Sequence, residues 1–236
     1  MMQQGKKFIA IAGNVGVGKS TLTAMLATKL GWEPFYEAVD DNPYLADFYQ
    51  DMRAWSFHSQ IFFLSRRLKH HRQLIDHPTS VVQDRSVYED AEIFARNLYR
   101  QDKMSIRDYR TYRELYEAMT AFLPPPDLVI YLRASVETLV HRIRLRGREY
   151  EQGIDPNYLL QLNELYEDWH DHFALCPVLI VPADDLDFVA NGAHLDLIVS
   201  KVREKLSGKD QVFFLADEIA SLKSPTAVRT EHLSAD

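Results

Sequence analysis

Gly13-Asn14-Val15-Gly16-Val17-Gly18-Lys19-Ser20-Thr21 follows a short apolar run, 8–12, and leads into a stretch where Leu22, Met25, Leu26 and Leu30 recur at helical spacing. The nine residues match G-x-x-x-x-G-K-[ST]. A strand ending in such a loop turns successive backbone N–H groups, and then the positive end of a helix, toward a polyphosphate; the glycines permit close approach. Lys19 is expected to reach the β and γ phosphates, and the Ser20 hydroxyl to serve Mg²⁺, a hard cation that bridges protein oxygens to nucleotide phosphates. A glycine-rich turn that binds nothing would lack the strand before it and the helix after it.

Outward from this loop, short apolar runs predict strands at 7–12, 33–37, 80–84, 127–133 and 178–182. Helical patterns lie at 19–30, 44–52, 55–76, 86–100, 105–122, 135–145, 155–174 and 188–207. Strands alternating with helices mean a parallel sheet covered on both faces. Pro124-Pro125-Pro126 stops one helix before the strand 128–132, and Pro156 suits the first turn of another. The sequence contains no repeat or long linker, so residues 1–208 read as one domain and 209–236 as a C-terminal tail, mobile over its last dozen residues.

Composition narrows the partners. With 34 acidic against 27 basic side chains, the chain carries a net charge of −7, which argues against a nucleic-acid polymer or an anionic membrane as partner. The apolar run before Gly13 is too short for a signal segment or a spanning helix. A single cysteine, Cys176, excludes an internal disulfide and suits a reducing compartment, so a cytoplasmic protein is expected. Its setting, Phe173-Ala174-Leu175-Cys176-Pro177, reads as packing rather than as a nucleophile.

Further polar residues fall at predicted strand ends. Val81-Val82-Gln83-Asp84-Arg85-Ser86 sets a carboxylate and a guanidinium at the carboxyl edge of the sheet, where open α/β folds bind ligands. Asp84 can hold Mg²⁺ opposite Ser20, and Arg85 can stabilise charge on a transferring phosphate; a plain turn capped by Ser86 is the alternative. Glu37 closes the second strand, where it can accept a proton from an attacking hydroxyl or simply be solvated. Arg142, Arg144, Arg146 and Arg148 put four guanidinium groups into seven residues of an acidic chain, beside Gly147 and Gly153. That density fits a lid, about 142–154, folding over polyphosphate, or else a solvated basic face.

Gln60 and Arg67 lie two turns apart on one helix face, and Asp90 and Phe94 stand at i and i+4 of the next predicted helix, offering an amide, a cation, a carboxylate and a ring to frame a base. A glutamine amide pairs bidentately with an adenine or cytosine edge, and flipped it serves guanine. Phe94 can stack on the base or simply pack in the core, and Tyr49 falls on the apolar face shared by Leu45 and Phe48.

Five segments together resemble the deoxyribonucleoside kinase family (deoxycytidine, deoxyguanosine and deoxyadenosine kinases) over roughly residues 7–182. They are the loop 13–21; Glu37; Trp55-Ser56-Phe57-His58-Ser59-Gln60 with Leu64-Ser65-Arg66-Arg67; Asp84-Arg85-Ser86-Val87-Tyr88; and 141–148 with Glu151-Gln152-Gly153. The resemblance implies a P-loop NTPase-type three-layer fold with a five-stranded parallel sheet and an Arg-rich lid. It also implies Glu37 as general base on the nucleoside 5′-hydroxyl, Arg85 orienting that hydroxyl and the phosphate, and Arg142, Arg146 and Arg148 in the lid over ATP. Tyr49 and Glu151 take the sugar 3′-hydroxyl, and Arg67 with Asp90 favour purine or cytosine over thymine. The family pattern often has Glu where Asp84 stands, and a large aromatic in some relatives where Asn42 stands. A homodimer is likewise implied. The expected activity is Mg-ATP-dependent phosphorylation of a deoxynucleoside, deoxyadenosine ahead of deoxyguanosine, with deoxycytidine open. Two rivals stay open: a nucleoside monophosphate kinase of the thymidylate type, which needs cations for the acceptor's phosphate where 37–60 offers only Arg53, and a non-catalytic kinase-like subunit.

Overall fold

The computed structural model describes residues 5–36, 42–151 and 153–222. Five strands, β1 (Phe8–Gly13), β2 (Glu33–Phe35), β3 (Val81–Asp84), β4 (Leu128–Arg133) and β5 (Val178–Pro182), form one sheet in the order β2-β3-β1-β4-β5, every pair parallel. β1 and β3 are buried along their whole length, as apolar strands must be when helices cover both faces. Ile11 stands opposite Asp84, and Gly13 opposite Leu132. The register therefore brings the carboxyl ends of β1, β3 and β4 to one edge, on either side of the strand that carries the glycine-rich loop. This is the three-layer, phosphate-loop architecture expected from the sequence.

Local chemistry sets the helix boundaries. α1 (Lys19–Leu30) starts after Gly18 and stops at Gly31, both in the left-handed region that glycine tolerates. α2 (Leu45–Gln50) is followed at once by α3 (Met52–Asp76), because the Asp51 carboxylate accepts from the Arg53 and Ala54 N–H groups and caps α3 three residues before its predicted start. Ser105, Ser135, Asp155 and Asn191 cap α5 (Ile106–Thr120), α6 (Val136–Arg146), α7 (Pro156–His172) and α8 (Gly192–Leu206) in the same way. That cap moves the start of α8 to 192 from the expected 188.

Two further departures matter. The predicted helix 86–100 is three segments: a 3-10 turn (Val87–Glu89), a π-helical stretch (Asp90–Ala95) and α4 (Arg96–Arg100). Asp90 and Phe94 thus do not share an α-helical turn, because i→i+5 bonding adds a residue between successive turns. Beyond 208, where no helix is predicted, α9 (Ala216–Ser221) packs back with Ile219 buried, Lys201 paired to Glu218 and Asn191 donating to the Leu222 carbonyl. Cys176 is half-buried, and burial pushes its thiol up to about 12, so it stays protonated and inert. Among the described residues no helix is long and apolar enough to cross a membrane.

Candidate active site

Three backbone conformations shape the loop between β1 and α1. Gly13, Gly16 and Gly18 have φ of 143°, 81° and 104°, and a Cβ on Gly13 would come within 2.8 Å of the Leu132 carbonyl. Asn14 is a tether: its amide nitrogen donates to the Leu159 carbonyl (2.9 Å) and Asn163 Oδ1 (2.8 Å), and its Oδ1 accepts from Val15 N–H (2.7 Å). Val17 is fully buried and Thr21 exposed. Lys19, itself buried, donates from Nζ to the Asn14 carbonyl at 2.9 Å, so its ammonium lies back across the loop that it closes. Ser20 donates its hydroxyl to Asp84 Oδ2. The two residues assigned from sequence to the metal are thus in contact across β1 and β3, an all-oxygen pair suited to a hard cation. No cluster of three or more His, Cys, Asp or Glu able to hold a metal exists among the described residues. An ion held by Ser20 and Asp84 would accordingly draw its other ligands from phosphate and water.

Arg85 follows β3 with its backbone N–H still on the Ile11 carbonyl (3.0 Å) and φ of 63°, a conformation uncommon for a side-chain-bearing residue. Its buried guanidinium lies 4.3 Å over the Phe94 ring, 3.1 Å from the Tyr166 hydroxyl and 3.6 Å from Glu89. Phe94 therefore has a cation on one face.

Both ends of the chemistry open into one cavity of about 930 Å³. Gly18, Lys19, Ser20 and Arg142 lie at its loop end, and Tyr49, Gln60, Arg67 and Phe94 at the other, with Asp84 and Arg85 between. The far end is built from buried polar groups. Arg67 is ion-paired with Asp90, both almost sealed from solvent, and the guanidinium lies 5.2 Å over the Phe63 ring. Gln60 is buried, and its Oε1 has no hydrogen-bond partner among the described residues, so it can accept from an incoming N–H group. Burial pushes the Tyr112 hydroxyl well above the usual tyrosine value despite the opposing pull of Arg67, so it remains an O–H. Asn42 is buried and donates to Ser59 Oγ (3.1 Å).

The arginine-rich segment leaves α6 at Gly147, which has φ of 71°, and turns through 149–151. Its arginines divide. Arg142 donates to the Val17 carbonyl (2.7 Å) and the Ala183 carbonyl (2.8 Å), joining the phosphate loop to the end of β5. Arg146 and Arg148 instead pair with Glu151, whose carboxylate is buried. α2 packs against the turn that carries Glu151, and Tyr49 and Glu151 line the same cavity. Glu37 and Gln152 lie outside the described residues; β2 ends at Phe35.

Sequence reasoning missed part of the wall. His141, Asp184, Asp187 and Phe188 line the loop end. The three that follow β5 sit beyond the carboxyl end of a parallel strand, and that position alone could have nominated them. Glu89, Tyr158 and Tyr166, buried around Arg85, belong to no motif that would have nominated them.

Comparison with known proteins gives the family of the chain. The model of the deoxynucleoside kinase family matches residues 9–207. A deoxyadenosine/deoxycytidine kinase of Bacillus subtilis (strain 168) is 43% identical over 196 residues, covering 82% of this chain and 90% of its own. A deoxyguanosine kinase of the same organism is 37% identical over 201 residues, covering 84% and 96%. A solved structure of deoxyadenosine kinase from M. mycoides, with the products dCMP and a flexible dCDP bound, superposes with a TM-score of 0.75 at 36% identity, covering 84% of this chain and 99% of that one. The chain belongs to the deoxynucleoside kinase family and is an ATP-dependent deoxynucleoside 5′-kinase.

Proposed function

We propose that the preferred acceptor is deoxyadenosine, with deoxycytidine and deoxyguanosine used more weakly. The observation that carries this is the buried Gln60 oxygen beside the Arg67–Asp90 pair, at the far end of the cavity that begins at the phosphate loop. Adenine and cytosine each present an exocyclic amino donor next to a ring-nitrogen acceptor, the complement of one primary amide. A flipped amide meets guanine. Thymine offers the same N–H and carbonyl pair as guanine but adds a methyl group beside that carbonyl, and it is this methyl group that the polar Arg67–Asp90 end of the pocket disfavours. The two B. subtilis relatives, a deoxyadenosine/deoxycytidine kinase and a deoxyguanosine kinase, support this range.

In this reading the reaction is mostly positioning and charge neutralisation. Glu37 accepts the 5′-hydroxyl proton, Arg85 faces the transferring phosphoryl group, and Lys19 moves from the Asn14 carbonyl onto the β and γ phosphates. Arg142 steadies the phosphate loop, and Arg146 and Arg148 close over ATP. Tyr49 and Glu151 take the sugar 3′-hydroxyl, and Phe94 flanks the base. The adjoining Ser20 and Asp84 oxygens fit Mg²⁺, which when bound would neutralise charge between the β and γ phosphates. An acidic chain with one inert thiol suits the cytoplasm, and helices outside the crevice are available for a homodimer.

A monophosphate acceptor is disfavoured, since the cations described at the acceptor end are Arg67, committed to Asp90, and Arg85, packed against Phe94 and Glu89. The test is ATP turnover with four deoxynucleosides and their monophosphates. We expect kcat/KM highest for deoxyadenosine and negligible for thymidine and every monophosphate. Thymidine matching deoxyadenosine would overturn the account of the pocket.

A further inference from the structure

Glu89 has no exposed surface, yet it is a carboxylate, and burying one without partners is prohibitive. Its partners come from three parts of the chain. Oε2 accepts from the Ser86 N–H at 3.0 Å, while Oε1 lies 2.7 Å from the Tyr166 hydroxyl, 3.4 Å from the Gly13 N–H and 3.6 Å from the Arg85 guanidinium. Tyr166, on α7, completes a ring: its hydroxyl also stands 2.7 Å from the Gly13 carbonyl and accepts from Arg85 Nη1 at 3.1 Å. Arg85 Nη2 reaches the same carbonyl at 3.5 Å. Gly13 is the first residue of the phosphate loop and Arg85 the cation beyond β3, so one carboxylate and one phenol join the donor side of the site to its central cation.

We propose that Glu89 is a positioning residue that acts, with Tyr166, by locking the Arg85 guanidinium to Gly13, so that the cation and the phosphate loop hold one fixed separation during transfer. Two features of Arg85 call for such a lock. Its backbone is in the left-handed region, a strained conformation that persists only where the surroundings over-determine it. Its side chain also rests on the Phe94 ring, a face-on contact that by itself sets no direction within the plane of the ring. Glu89 addresses both, holding the Ser86 N–H immediately after the strained residue and fixing the guanidinium laterally. Its charge, rather than its volume, does this.

The inference rests on Arg85 as the cation that faces the transferring phosphoryl group, and the experiment separates the two ideas. Glu89→Gln preserves size and an acceptor oxygen for the Ser86 N–H while removing the charge. Steady-state kinetics are measured for Glu89→Gln, Arg85→Lys and the double variant, with thermal unfolding of each. Misplacing a reacting group by about 1 Å costs on the order of 10²-fold. The expected result is accordingly a fall in kcat of about 10–100-fold for Glu89→Gln with both KM values within about threefold, and a further loss under about threefold when the same change is made in Arg85→Lys. An equal loss in both backgrounds would assign Glu89 to the fold alone and overturn the proposal while leaving Arg85 in place. Arg85→Lys with undiminished kcat would remove the premise and the proposal together. Tyr166→Phe, which keeps the ring stacked on Tyr131, runs the same cycle should Glu89→Gln fail to accumulate as folded protein.

Discussion

Replacing Asp90 by Asn probes the acceptor pocket most directly. The change preserves volume and removes one charge from an ion pair whose side chains are 7% and 0% exposed, so no cavity contributes to the outcome. Arg67 then keeps its cation without its carboxylate. The Phe63 ring under the guanidinium offers about 0.5–2 kcal/mol, whereas breaking a buried pair from one side costs about 3–5 kcal/mol, so the ring cannot compensate. For a chain of this size each kcal/mol moves the unfolding midpoint by about 2–4 °C, which predicts a Tm lower by about 6–20 °C. In kinetics, kcat/KM for deoxyadenosine should fall by about 5–150-fold, the equivalent of 1–3 kcal/mol, and the preference over thymidine should narrow. A control separates stability from recognition. Replacing both partners, Arg67→Met with Asp90→Leu, should restore most of the midpoint, because an apolar pair of similar volume is often as stable as the buried ions, but it should not restore deoxyadenosine turnover. Differential scanning calorimetry and coupled ATP turnover read the two effects. An Asp90→Asn variant that melts within about 2 °C of wild type with an unchanged deoxyadenosine-to-thymidine ratio would refute the reasoning.

Glu37→Gln should lower kcat by more than ~10²-fold with nucleoside affinity little altered; a change confined to KM would make Glu37 a binding residue. Gly16→Ala should weaken ATP more than nucleoside, because its Cβ would lie 2.6 Å from Ile143 Cγ1 on the helix that carries Arg142 and Arg146, so that helix must retreat. Equal KM values for ATP in variant and wild type would contradict that coupling. Burial holds the His71 imidazole below its ordinary 6.5, against the opposing effect of its bond to the Pro124 carbonyl, while the unfolded chain takes up the proton near 6.5. Its contribution to stability is therefore complete above about pH 6.5 and is lost as the pH falls toward the folded-state pKa, at up to ~1.4 kcal/mol per pH unit. His71→Gln should flatten the decline in Tm between pH 7 and 5, and an unchanged decline would exclude His71 as its source.

What the sequence made legible is what repeats or punctuates. Apolar runs of strand length gave β1, β3, β4 and β5 to within a residue or two, and the glycines and Lys19 placed the phosphate loop at the end of β1. Asp84 and Arg85 were foreseeable because the end of a parallel strand is a known kind of place. The π-helical stretch was not, since the apolar spacing over 86–100 is compatible with an α-helix; only tertiary contacts, Asp90 to Arg67 and Phe94 to Arg85, favour the extra residue per turn. Glu89 and Tyr166 were invisible for a similar reason: they are 77 positions apart and meet only once α7 lies beside the 3-10 turn. The pairing of Glu151 with Arg146 and Arg148 lay within five residues, but sequence gives no sign that a carboxylate there would be buried.

Asn191 carries a consequence beyond its helix. Its Oδ1 accepts the Ala193 N–H at the start of α8 while its amide nitrogen holds the Leu222 carbonyl at 2.8 Å, and three or four residues earlier Asp187 and Phe188 form the cavity wall facing Gly18. The segment after α8 is therefore latched to the same short loop that closes the nucleotide end. Cleavage between α8 and α9 would free one end of that latch without touching a residue of the cavity, so a nick at 208–215 should register first as faster amide exchange at the amino-terminal turn of α8, and the protection regained on adding ATP would measure how firmly the loop is gripped from within.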